Sequence, residues 1–148
     1  DYGGCAQCIL AAGQETIGHV SDEVFQAAAG FAGGVGLRGH DCCALLGGVM
    51  LLDCFKGRTR DDFKDEARAN RETYRMTRLL MDRFEKAYGT VNCREVQTKI
   101  MGAPFDLSTK EGYKAFLEAG GHRDGCTNVC RSVAMWAAEI LYNENYLD

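Results

Sequence analysis

Cys42-Cys43-Ala44-Leu45-Leu46-Gly47-Gly48-Val49-Met50-Leu51-Leu52-Asp53-Cys54-Phe55 holds a single charged residue, Asp53, and this stretch decides the fold. A helix so apolar is buried on most sides and becomes the centre on which other helices pack, while Gly47-Gly48 lets a neighbour come close. Asp41 reads as its cap. Toward the N-terminus, residues near Cys5 to Ala12 predict a short helix. Ser21, followed by Asp22 and Glu23 where the helix dipole favours acids, caps a second helix to about Ala32. The glycine-rich stretch 33–40 predicts a loop. Toward the C-terminus, the segment from about Arg60 to Ala87 puts Phe63, Ala67, Tyr74, Thr77, Met81, Phe84 and Tyr88 on one stripe, with charges on the other faces. Asn92 with Glu95 and Ser108 with Glu111 have capping-box spacing. They open two more helices, the first ending near Val96 and the second reaching about Ala119 before Gly120-Gly121. A last helix from about Thr127 to Tyr142 carries Val129, Val133, Trp136, Ala137 and Ile140 on its apolar face. No segment alternates as a strand would, so the expected fold is all-α: a compact multi-helix bundle with a buried central helix, in one domain spanning 1–148.

Composition narrows the function. The 148 residues are 46% hydrophobic with one proline, which suits a domain with its own core. The net charge of −4 comes from 17 basic and 21 acidic residues, and the basic ones are interleaved with acids, so nucleic acid is not an expected partner. No apolar run reaches the roughly 18 residues of a membrane span. The chain reads as soluble, and its start at Asp1 reads as a processed or trimmed form. A cytoplasmic setting and, with an export signal removed, a periplasmic one both fit.

Eight cysteines are the chemical signature. Cys5, Cys42, Cys93 and Cys126 each stand at or within a turn of a predicted helix start, where unpaired N–H groups and the helix dipole favour a thiolate over a thiol. Cys5 and Cys8 form C-x-x-C, Cys42 and Cys43 are adjacent, and Cys126 and Cys130 are one helical turn apart, so each helical pair shares a face. Cys54 lies about 18 Å along the helix from Cys42 and reads as a buried small hydrophobe. A thioredoxin-type C-x-x-C requires a βαβ setting and haem attachment requires a following histidine, whereas Ile9 follows here. Gly34-Val35-Gly36-Leu37-Arg38-Gly39 fits G-x-G-x-x-G without the strand that a dinucleotide site needs. Its N–H groups can instead face an anion, including the sulfides of a cluster. Thiolate ligation of an iron–sulfur cluster or of zinc remains, and a redox cluster suits a helical domain of this size better.

The run Cys5-Ala6-Gln7, the segment Gly30 to Gly36, Cys42-Cys43-Ala44-Leu45-Leu46-Gly47, Tyr88-Gly89-Thr90-Val91-Asn92-Cys93-Arg94-Glu95, Asp106-Leu107-Ser108-Thr109 and Cys126 together resemble the C_GCAxxG_C_C redox-protein family. The resemblance implies a small helical domain with four family cysteines, matched by Cys5, Cys42, Cys93 and Cys126. It includes a domain of the split-Soret cytochromes, in which similar cysteines accompany an iron–sulfur centre in a dimeric electron-transfer protein. Cys43 stands where the family's glycine is expected beside the motif cysteine.

The reading is a redox-active protein holding an iron–sulfur cluster through Cys5, Cys42, Cys93 and Cys126, with Cys8, Cys43 and Cys130 as further candidate ligands or resolving thiols. Electron transfer to a redox partner protein, or an accessory role to an oxidoreductase, follows, and the split-Soret resemblance implies a homodimer. The alternatives are a thiol–disulfide oxidoreductase without a cofactor, in which Cys42 attacks and Cys8 or Cys130 resolves, and a zinc-stabilised interaction module.

Overall fold

The computed structural model describes residues 3–66 and 68–147, and among them seven α-helices and no strand are found. They are α1 (Cys5–Thr16), α2 (Asp22–Ala27), α3 (Cys43–Lys56), α4 (Ala69–Tyr88), α5 (Cys93–Met101), α6 (Lys110–Glu118) and α7 (Cys126–Asn143), with a single π-helical turn at Gly121–Gly125 leading into α7.

Helix α3 is the buried centre. It packs against α1, α4 and α7, and its Cys43, Ala44, Leu45, Leu51 and Leu52 join Ile9, Leu10, Met76, Leu80, Phe84, Val133 and Leu141 in the core. The two glycines set the spacing. A Cβ on Gly47 would stand 2.7 Å from the Ala6 Cα and 2.9 Å from the Ala6 carbonyl oxygen, and one on Gly48 would stand 2.5 Å from Val133 Cγ1. Gly47 therefore faces the first turn of α1, and Gly48 faces α7.

Several boundaries differ from those the sequence suggests. Helix α2 is capped by the Ser21 hydroxyl as expected but ends at Ala27, because the chain turns there into the glycine loop. Asp41 does not cap α3; Cys42 takes the N-cap position, and Asp41 pairs with Asn92 in an isolated antiparallel bridge. The bridge is a long-range contact that local spacing does not encode. Helix α4 begins at Ala69 instead of Arg60. In the preceding turns Thr59 Oγ1 accepts from the Asp62 N–H and the guanidinium of Arg58 lies 4.5 Å from the Phe63 ring centre, so local side-chain contacts replace helical ones. The buried stripe of α4 is Thr73, Met76, Leu80 and Phe84; Phe63 and Tyr74 are exposed, and Ala67 lies outside the described residues. Phe84 is buried as expected and Met81 and Tyr88 pack partly buried against the core, but in the first turns Thr73 and Met76 face inward in place of Tyr74 and Thr77. Asn92 caps α5 by accepting from the Arg94 and Glu95 N–H groups, but the Glu95 carboxylate accepts from Thr90 instead of closing the box, and α5 continues to Met101. Thr109, not Ser108, caps α6, since the Ser108 hydroxyl donates to the Asp106 carboxylate.

Two predictions follow from the central helix. Gly47→Ala gains helix propensity but drives a methyl into backbone that cannot yield, so the net effect in urea unfolding is a loss of about 1–3 kcal/mol. A midpoint equal to that of the parent would refute the close approach. At the far end, Asp53 Oδ1 is buried with no hydrogen-bond partner among the described residues, and burial raises its carboxyl to about 6. This folded value lies above the unfolded value of about 4, so Asp53's contribution to stability is full below that pH and is lost as pH rises through about 6. Asp53→Asn should gain on the parent in urea midpoint across that window and remain ahead at neutral pH.

Candidate functional site

Four helix starts converge. Cys5 and Cys126 are the first residues of α1 and α7, Cys93 is the first of α5, and Cys42 is the N-cap of α3. The antiparallel bridge ties two of them together: the Cys42 N–H donates to the Val91 carbonyl at 2.8 Å and the Cys93 N–H to the His40 carbonyl at 2.5 Å. The Ala6 N–H donates to the Phe31 carbonyl at 3.2 Å, fastening α1 to the glycine loop. Packing of α1 on α7 brings in the remaining thiols.

The result is a cavity of about 390 Å³ with Cys5, Cys8, Cys93, Cys126 and Cys130 on its wall. Tyr113, Phe116 and His122 form an aromatic side, the His122 ring lying edge-on to Phe116 at 5.3 Å. Among the described residues, no carboxylate, lysine or arginine lines it. Cys42 and Cys43 are buried and do not line the cavity, although Cys42 lies close enough to Cys93 and Cys126 to influence their ionisation and is itself influenced by Cys5. Cys54 stands apart at the other end of α3, half-buried beside Asp53 in a second hollow, and so is not the buried hydrophobe expected of it.

Residues 4–140 match the family described as "Putative redox-active protein (C_GCAxxG_C_C)". The chain belongs to that family. No curated protein and no solved structure matches it. Set against the C_GCAxxG_C_C signature, Cys43-Ala44-Leu45-Leu46-Gly47 supplies C-A-x-x-G, so Cys43 occupies the signature cysteine and Cys42 replaces the glycine before it. This corrects the alignment of that pair. In this C_GCAxxG_C_C protein the two neighbours have different surroundings: Cys42 faces the other helix starts, whereas the Cys43 sulfur accepts the Val35 N–H at 3.0 Å and its S–H lies 3.7 Å from the Asp41 carbonyl oxygen.

The glycine loop does direct N–H groups at sulfur, those of Gly34 and Val35 to Cys43 and that of Gly33 to Cys5. Its other N–H groups close turns within the loop, such as Gly36 to the Gly30 carbonyl and Gly39 to the Gly33 carbonyl. His40 is exposed and contributes its carbonyl, not its ring, to the bridge. Arg38 and Arg94 are exposed and face Asp106, where they favour its charged form.

Ionisation at the helix starts departs from the expectation. Burial raises Cys42 to about 12, against the pull of the Leu45 and Ala44 N–H groups, and raises Cys126 to about 12. Cys93 is raised as well, by burial and then by Cys42. Removal from water outweighs the helix terminus at these three positions. Only Cys5 is lowered, because the Cys130 thiol hydrogen-bonds to its sulfur and the Gly33 N–H adds to this; Cys130 is raised by the same contact. Burial also raises Cys8, Cys43 and Cys54. Of the two, the surroundings favour the thiolate at Cys5 and the thiol at Cys42.

Gln97 escaped the sequence reading. It is 1% exposed, its amide nitrogen lies 3.6 Å from Cys93 Sγ, and its amide oxygen accepts the Phe105 N–H at 2.8 Å. The signal was its spacing four residues after Cys93, one turn along the same face of α5.

In metal-free protein at neutral pH, iodoacetamide should label Cys5 ahead of Cys42 and Cys126, whose labelling should rise only in strongly alkaline buffer. Peptide mass mapping across pH reads this; comparable labelling of all three at neutral pH would overturn the ordering.

Proposed function

We propose that this redox-family protein holds an iron–sulfur cluster with Cys5, Cys93, Cys126 and one member of the Cys42-Cys43 pair as thiolate ligands, and passes electrons to a redox partner protein. The observation that carries the reading is the delivery of thiols from three distant helix starts, those of α1, α5 and α7, to one cavity whose lining, among the described residues, holds no carboxylate, lysine or arginine, with Cys42 buried at a fourth helix start nearby. Of the adjacent pair, Cys42 is favoured, because the Cys43 sulfur is engaged by the Val35 N–H of the glycine loop, whereas Cys42 stands at the helix start tied to that of Cys93 by the antiparallel bridge.

The arrangement of donors fits a cluster better than a single ion. Among the described residues no group of three or more His, Cys, Asp and Glu side chains is close enough to hold one metal ion. Ligands of a multi-iron centre stand farther apart, around the volume the centre fills, and the thiol-walled cavity offers that volume. Raised thiol values do not oppose binding, since metal displaces the protons and the sulfurs then need no water.

When bound, the cluster supplies one-electron storage. The chain supplies its surroundings: the Gly33 N–H and Cys130 S–H at Cys5, the Ala44 and Leu45 N–H groups at Cys42, and the Gln97 amide at Cys93. Each donor stabilises negative charge on sulfur, which favours the reduced state and raises the reduction potential over that of a cluster lacking them. The apolar and aromatic wall limits water.

Protein purified without oxygen, or reconstituted with iron and sulfide, should absorb between about 320 and 450 nm with matched iron and acid-labile sulfide. Serine at Cys5, Cys42, Cys93 or Cys126 should lose or convert the cluster, Cys43→Ser should retain it, and Cys54→Ser should leave the spectrum intact. Loss on Cys43→Ser with retention on Cys42→Ser would transfer the second ligand to Cys43, while equal effects from all six would defeat the cluster assignment.

A further inference from the structure

Cys5 opens α1 and Cys130 lies one turn into α7, 125 residues later, yet the Cys130 side chain reaches Cys5. Cys130 Sγ lies 3.9 Å from the Cys5 carbonyl oxygen, and each of the two thiols acts on the ionisation of the other. Both are free thiols, neither is fully buried, and both are on the wall of the same cavity. Packing of α1 on α7 holds the two residues in contact in the folded chain. The Cys43 sulfur is engaged by the glycine loop, and Cys54 is at the far end of α3.

The geometry points to a reversible disulfide between Cys5 and Cys130, which joins α1 to α7 and withdraws Cys5 from the metal site. The disulfide stands on the contact alone; its effect on loading rests on the cluster reading above. The oxidant is a small organic disulfide, represented by oxidised glutathione, entering through the cavity. One cysteine, after releasing its proton to water, attacks a glutathione sulfur; a protein–glutathione bond forms, the glutathione disulfide breaks, and one glutathione thiolate leaves. The second cysteine gives up its proton and attacks the protein sulfur of that adduct. The Cys5–Cys130 bond forms and the second glutathione leaves, the two released thiolates taking up the two protons. In sum, two cysteine thiols lose two electrons and two protons, and one glutathione disulfide becomes two thiols. A sulfur in a disulfide is no longer a thiolate ligand, so oxidation and cluster binding exclude each other at Cys5.

The test takes the intact chain, freed of metal and fully reduced, with and without oxidised glutathione. Each sample is alkylated, digested without reduction and mapped by mass spectrometry, and parallel samples are reconstituted with iron and sulfide. The expected result is a linked Cys5–Cys130 peptide, two hydrogens lighter than the sum of its parts. Iron uptake should fall to the level of the Cys5→Ser variant and return after dithiothreitol. Cys130→Ser should stop at a glutathione adduct on Cys5. Cys5 joined to another cysteine, or held as a glutathione adduct in the parent with Cys130 alkylated, overturns the proposal. Linkage without iron uptake by the reduced chain defeats the cluster reading and leaves the disulfide standing; full uptake without linkage defeats the disulfide alone.

Discussion

Two glycines in the middle of the central helix govern the placement of everything chemical in this protein. With only hydrogen at Gly47 and Gly48, the backbone of α1 and the side chains of α7 lie directly on α3 about one to two turns from its start. Helices held that close near their beginnings have their beginnings side by side, and each of those beginnings carries a cysteine. A larger residue at either glycine would wedge α1 or α7 away, and the thiols at their ends would separate with them.

The second constraint is electrostatic. A helix start is a favourable place for an anion, but a buried one is also removed from water, and here the loss of hydration prevails at Cys42, Cys93 and Cys126. Without metal these sulfurs hold their protons. Cys5 differs because another thiol and a backbone N–H donate to it. The same contact with Cys130 gives Cys5 two possible bonding partners, a metal centre and a second sulfur, so one hydrogen bond links the proposed cofactor site to the proposed disulfide. Membership in a family described as redox-active is the setting for both proposals.

The helical class, the central position of α3 and the presence of Cys5, Cys42, Cys93 and Cys126 at helix starts were legible because each rests on local signals: an uncharged run, a cap, a glycine pair, a residue at a helix start. The phase of α4 was not. Tyr74 and Met76 are both credible core residues by size, and only contact with α3 and α7 decides that Met76 faces inward while Tyr74 stays in water. Asp41 likewise has the chemistry of a cap, but its pairing with Asn92 was decided by a segment fifty-one positions away, which no local pattern encodes.

The sequence by itself determined that the chain is helical, that its central helix is buried, and that thiols would sit where helices begin, since hydrophobic period and capping chemistry are properties of neighbouring residues. Only the tertiary structure decided which thiols face a shared cavity, that Cys43 turns to the glycine loop, that Cys54 is left out, and that Cys130 meets Cys5. Those outcomes depend on how separate helices pack and on how much water each sulfur loses, and both are set by contacts between residues far apart in the chain.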